Sequence, residues 1–181
     1  MTHIHQPQFL LRSVEAIEPG VLSLGFGDGY EGTVDLNAAM GRLRSLAPLQ
    51  DWDLFQRVAL DEWSRGVIFG GDDSLSLASD NLRASAIEQE GEFSHQQVIA
   101  WMDRHGFTLD RAAHELGLSR RMLAYYRSGE KPVPRTVGLA LLGWDALHDT
   151  MPNRGGGSRS GPRPPMSPER PSVSARRVHE R

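Results

Sequence analysis

Along the first 90 or so residues, apolar positions recur every second residue in short runs, each run closed by turn residues. That alternation predicts half-buried antiparallel strands. A first run from Phe9 to Ile17 ends at Glu18-Pro19-Gly20, which reads as a turn, and Val21-Leu22-Ser23-Leu24-Gly25-Phe26 follows as a second strand. Asp28-Gly29 supplies residues that tolerate positive φ, as a two-residue hairpin loop requires. Tyr30 to Leu36 returns as the partner strand, with Tyr30, Gly32, Val34 and Leu36 on one face. Asn37 to Leu46 reads as a short helix, Leu54 to Leu60 and Arg65 to Phe69 as a second strand pair, and Ser79 to Ala86 as a closing helix.

From Phe93 the period changes to 3.6. Ser94 and Gln97 have the spacing of a capping box, in which each side chain satisfies a free backbone donor of the other residue. Val98, Ile99, Trp101 and Met102 form the buried arc of that helix, and Gly106 stops it. Thr108 caps a second helix that turns Ala112, Ala113 and Leu116 inward and ends at Gly117. Ser119 caps a third, Ser119 to Ser128, with Met122, Leu123 and Tyr126 as its apolar stripe and Gly129 as its stop. Pro132 and Pro134 block continuation, and Pro134 suits the first turn of a fourth helix through Val137, Leu139, Leu141, Leu142 and Trp144.

The pattern therefore predicts an α+β chain in three parts. Residues 1–91 form a small antiparallel-sheet domain for dimerisation, partner or ligand binding. Residues 92–150 form an all-α unit of four to five helices. Residues 151–181, rich in Arg, Pro, Ser and Gly, have too little apolar surface to offset their ordering entropy and are expected to be a disordered tail.

Composition narrows the function classes. At 181 residues with 39 % hydrophobic and 24 % charged side chains, the chain is of globular type. It has no cysteine, which excludes disulfides and thiolate metal sites. No apolar run approaches the ~20 residues of a membrane span, and the start lacks the order of a secretory signal, so a cytoplasmic protein is expected. Charge is unevenly placed. Residues 1–91 carry 6 Arg against 14 acids, residues 92–150 carry 7 cations against 7 acids, and residues 151–181 carry 7 Arg against 2 acids. An acidic first half repels nucleic acid and suits a basic protein partner. Any DNA binding must fall to the rest.

Candidate chemistry is sparse. Asp72 and Asp73 follow Gly70-Gly71, but adjacent residues of an extended chain point opposite ways and no third ligand has suitable spacing, so a solvated turn is expected. Gly25, Gly27 and Gly29 lack the helix that a dinucleotide fold needs after them. His3 and His5 read as a frayed end, and His95, His105 and His114 show no metal-ligand spacing. No serine has the strand-elbow-helix context of a hydrolase. No catalytic residue, metal ligand or cofactor is assigned, and the chain is expected not to be an enzyme.

The segment Thr108 to Gly129 carries the main signal. Two closely crossing helices need a small residue at their contact (Ala113), a sharp turn free of a Cβ penalty (Gly117), a plug beneath it (Leu118) and a cap for the next helix (Ser119). That is the plan of a helix-turn-helix, whose second helix lies in the major groove with its first residues at base edges. Arg120, Arg121, Arg127 and Lys131 fall within 12 residues, opposed only by Glu130. With Gly129 followed by a Lys-Pro pair, the register resembles the Cro/C1-type (phage-repressor-like) family over about Ser94 to Ala146. The resemblance implies double-stranded DNA as partner, base contacts from Arg120, Arg121 and Tyr125, phosphate contacts from Ser119, Arg127, Lys131 and Arg135, and a homodimer. Two positions depart from the family: Leu109 stands where Gln is usual, and Arg127 where Glu is frequent.

The first half, in Leu24-x-Phe26-x-Asp28-Gly29, Val34-Asp35-Leu36, Asp53-Leu54-Phe55, Gly66-Val67-Ile68 and Asp80-x-Leu82, resembles an uncharacterised family of bacterial domains of unknown function, found fused to helix-turn-helix units or beside toxin-like genes. That resemblance implies a regulatory or interaction role. The expected function is thus a transcriptional regulator. The alternative is an antitoxin-like protein that binds a basic partner and dimerises through its helices.

Overall fold

A computed structural model describes residues 6–149; the expected tail and the His3/His5 terminus lie outside the described residues. The fold is α+β. Strands β1 (Leu11–Glu18), β2 (Val21–Phe26) and β3 (Glu31–Asp35) form one antiparallel meander, and β4 (Val58–Leu60), β5 (Gly66–Phe69) and β6 (Asp72–Ala78) form a second. Between them run α1 (Asn37–Arg42), a 3₁₀ stretch (Arg44–Gln50) and α2 (Trp52–Phe55). The second meander leads into α3 (Ser79–Gln89) and then α4 (His95–Arg104), α5 (Leu109–Glu115), α6 (Arg120–Arg127) and α7 (Arg135–Asp149).

Alternation explains the first core. Leu22, Leu24 and Phe26 of β2 and Val34 of β3 turn to one side, where Phe55, Val67, Phe69, Leu82 and Ala86 meet them. A second, separate core joins Val98, Trp101 and Met102 of α4 to Ala112 and Ala113 of α5, Leu123 and Tyr126 of α6, and Val137 and Leu141 of α7.

The two regions touch through the 3₁₀ turn Pro7–Phe9 that precedes β1. The Phe9 ring lies 5.0 Å from that of His95 at the start of α4. Ser79 donates its hydroxyl to the Phe9 carbonyl at 2.6 Å, and Arg83 bonds the Gln8 carbonyl at 3.0 Å. Phe9 is thus held from behind by α3 and pressed forward onto the helices.

Several expectations need correction. The loop after β2 holds three residues, Gly27 to Gly29: Gly29 donates back to the Phe26 carbonyl at 3.1 Å and takes φ +91°, the turn-plus-bulge form of a three-residue hairpin. The helix expected to Leu46 stops at Arg42, because Leu43 is extended (φ −102°, ψ 112°). Of the strand expected from Leu54 to Leu60 only Val58–Leu60 pairs, since Asp51 caps a helical turn before it by accepting from the Asp53 N–H. The solvated turn expected at Asp72 and Asp73 is the start of β6. Gly70 and Gly71, both at positive φ, make the hairpin loop, and β6 pairs with β5 from Asp72 to Ala78. On α7, Leu139 and Leu142 are exposed; only Val137 and Leu141 of the expected apolar run are buried, with Trp144 partly so.

Candidate nucleic-acid interface

Each helix of the second region starts on the cap that its sequence supplies. Ser94 and Gln97 close the capping box, Thr108 accepts from the Arg111 N–H, and Ser119 accepts from the Met122 N–H at 3.2 Å. Gly117 takes φ +64°, which lets the Leu118 N–H reach the Ala113 carbonyl (2.9 Å) and the Gly117 N–H that of His114 (3.1 Å). Those two bonds satisfy the carbonyls at the end of α5 and aim the chain into α6. Leu118 then packs beneath the turn. A second tie holds the far side: the Trp144 indole N–H donates to Glu115 at 3.2 Å, and this bond holds the Glu115 carboxyl below its ordinary range.

With Leu123 and Tyr126 inward, the opposite face of α6 presents Arg120, Arg121, Ala124 and Tyr125. No acidic residue lies on this helix. Tyr125 organises the face: its hydroxyl accepts from Arg121 Nε at 2.8 Å, the Arg121 guanidinium lies 5.4 Å from its ring centre, and Lys131 Nζ approaches that ring at 5.0 Å. Arg120 is exposed and pairs with Asp110 of α5 at 3.0 Å. Arg127 is exposed and has no charged partner among the described residues. The Ser119 hydroxyl, accepting from a backbone N–H, keeps its own proton free to donate.

The structure therefore gathers Arg120, Arg121, Tyr125 and Lys131 at one helix face, with Ser119 at its start and Arg127 beside it. Arg135 stands off that helix: it opens α7 and lies 4.0 Å from Glu92. Asp110 escaped the sequence reading, because its partner Arg120 lies across the turn and only helix packing brings them together. Among the described residues, no group of three or more His, Cys, Asp or Glu is placed to hold a metal ion, and no helix is long and apolar enough to cross a membrane.

The capped helix pair, the glycine turn and the cationic outward face define a helix-turn-helix DNA-binding domain. In agreement, residues 91–126 match the model for the bacterial regulatory proteins of the Fis family. Over a larger span the chain is similar to a protein from Nitrosomonas europaea ATCC 19718 described as "Putative DNA Binding Protein NE0471". Its crystal structure superposes with a TM-score of 0.68 at 38 % identity, covering 79 % of this chain and 92 % of that one. This chain belongs to the same family as that protein. No curated protein matches it.

Proposed function

We propose that the protein is a cytoplasmic transcriptional regulator, not an enzyme, that binds duplex DNA sequence-specifically through α6 in the major groove. The observation that carries the reading is the outward face of α6, a helix with cations, no acid of its own and an order set by Tyr125, on a domain that matches a DNA-binding family. Arg120 and Arg121 would read base edges with Tyr125. An arginine that forks onto guanine O6 and N7 contributes ~1–3 kcal/mol of discrimination, which favours G-containing half-sites. Ser119, Arg127, Lys131 and Arg135 would hold phosphates, in the register of the Cro/C1-type family.

One such helix covers a short half-site, so we take the working form to be a symmetric homodimer reading two half-sites ~34 Å apart. Residues 1–91, with their excess of acids, would serve dimerisation or recognition of a partner, and residues 92–150 would read DNA. Selection of bound duplexes from a random pool tests the reading. The expected outcome is a two-fold symmetric, G-containing motif whose binding is lost in the Arg120→Ala, Arg121→Ala double variant. A chain that selects no motif, or a double variant that binds like wild type, ends this proposal.

A further inference from the structure

Directly after α6, the segment Gly129 to Val133 forms one wall of a cleft of about 240 Å³ whose other wall is α3 and the β2–β3 loop. Its apolar surface comes from Ile87, Phe93, Pro132 and Val133. Four carboxylates, Asp28, Glu90, Glu92 and Glu130, face it against two cations, Arg83 and Lys131.

Both cations are already engaged. Arg83 grips Asp28 with two bonds of 2.9 and 2.8 Å and stacks over the Tyr30 ring at 4.5 Å. Lys131 leans on Tyr125. The remaining carboxylates are exposed to solvent and have fewer protein partners. Glu90 accepts from the Tyr30 hydroxyl at 3.3 Å, Glu92 has the distant Arg135, and the Glu130 carboxylate has no partner among the described residues. His95 also lines the cleft. It is 6 % exposed, packed on Phe9, and its ring nitrogens have no hydrogen-bond partner among the described residues. A polar group on the cleft wall that lacks a protein partner can take one from a ligand. Burial holds the His95 pKa below its ordinary value, which favours the neutral ring, able to accept a proton donor's hydrogen bond.

We propose that this cleft binds a small organic cation, an ammonium group on a short aromatic or apolar body. An ammonium brings three donors and no acceptor. It suits three carboxylates with few protein partners and an imidazole, while Phe93, Ile87 and Val133 receive the body. An anion would meet an excess of carboxylates, and a neutral compound would gain only the apolar contact. Taking the ~30 Å³ of one water as the measure, the space admits on the order of eight non-hydrogen atoms. Because the Gly129–Val133 wall carries Lys131, filling the cleft also alters the DNA-facing surface; this coupling, unlike the site itself, rests on the DNA-binding reading.

The test titrates the full chain, free of DNA, with 2-phenylethylamine, 2-phenylethanol and phenylacetate, followed by calorimetry and by amide shifts at Gly129 and Lys131. The amine is expected to bind saturably, the alcohol at least tenfold more weakly and phenylacetate not at all. The Glu92→Gln, Glu130→Gln double variant alters exposed side chains only and is expected to weaken the amine at least tenfold while leaving the alcohol unchanged. Equal binding of phenylacetate, no binding of any probe, or an amine affinity unchanged in the variant overturns the site. With selected DNA present, saturating amine is expected to change DNA affinity at least fivefold, and an unchanged affinity overturns the coupling. Should the chain bind the amine but no DNA, the regulator reading fails and the site stands.

Discussion

The sheet region and the helical region hold their shape by different means. In the sheet region, Leu24 and Val34 are buried because two strands pair and then meet Phe55 of α2 and Phe69 of the second meander, far along the chain. In the helical region each element is started and stopped within a few residues of itself, by Ser94, Thr108 and Ser119 at the starts and by Gly106, Gly117 and Gly129 after the ends. Locally specified helices can display a charged face whose side chains serve no role in folding. A sheet built from distant pairings spends its alternate residues on the core. The cations proposed to read bases accordingly lie on α6, whereas Arg12 and Arg42 of the sheet region are scattered among an excess of acids.

The largest expected effect tests whether the two cores are independent. Leu123→Ala removes a fully buried side chain from the helical core, at ~2–5 kcal/mol for such truncations. Hydrogen exchange is expected to accelerate by that amount across α4 to α7 and to leave amides of β2 and β5 protected as before. Equal acceleration in both regions would show one cooperative unit and break the comparison.

Next come the arginines. Arg120→Ala and Arg121→Ala are each expected to cost ~1–3 kcal/mol of binding to the selected duplex, with relaxed specificity at one base position. Arg12→Ala and Arg42→Ala should leave affinity within twofold of wild type. Lys131→Ala is expected to weaken all sequences alike and to lower the salt slope by about 1. Fluorescence anisotropy over a salt series separates the two behaviours.

How far the sequence could reveal these features follows the same division. The capping box at Ser94 and Gln97, the Gly117 turn and the inward stripe of α6 are written in neighbouring residues, so they can be read directly. Strand β6 could not be read, since Asp72-Asp73-Ser74 is polar and only pairing with β5 makes it a strand. His95 showed no spacing that marked it, because its burial comes from Phe9, distant in sequence and delivered by a turn that α3 holds. Gly138 is similar. A Cβ there would run into the Phe93 ring, a contact between a helix and the segment that precedes α4. Gly138→Ala is therefore expected to destabilise the helical region by ~1–3 kcal/mol despite its better helix propensity, as a thermal melt would register.

The junction between the regions gives a pH effect of smaller size. Burial, opposed in part by Asp80 and reinforced by Arg83, lowers the His95 pKa in the folded state. As pH falls through about 6.5, the unfolded chain takes up a proton that the folded chain still excludes, so the unfolded state binds more protons. This contribution to stability is thus fully present above that pH and declines below it until the folded value is passed. Denaturant melts from pH 7.5 to 5.5 should show the decline, and the His95→Gln variant should show a shallower one. Identical slopes would mean that His95 is not the titrating group.

The smallest expected effect bears on what Arg120 does. Its ion pair with Asp110 is exposed on both sides, and such pairs contribute at most ~1 kcal/mol. To contact DNA, Arg120 must leave Asp110, so Asp110→Asn should tighten binding by less than about fivefold. The distribution of that gain is the informative part. If Arg120 reads a base, the freed side chain favours the selected duplex over a scrambled one, and their ratio rises. If Arg120 meets only phosphate, both duplexes gain alike and the ratio stays fixed. A parallel gain in both would move Arg120 from base reading to backbone anchoring, leaving Arg121, held by Tyr125, as the arginine that reads sequence.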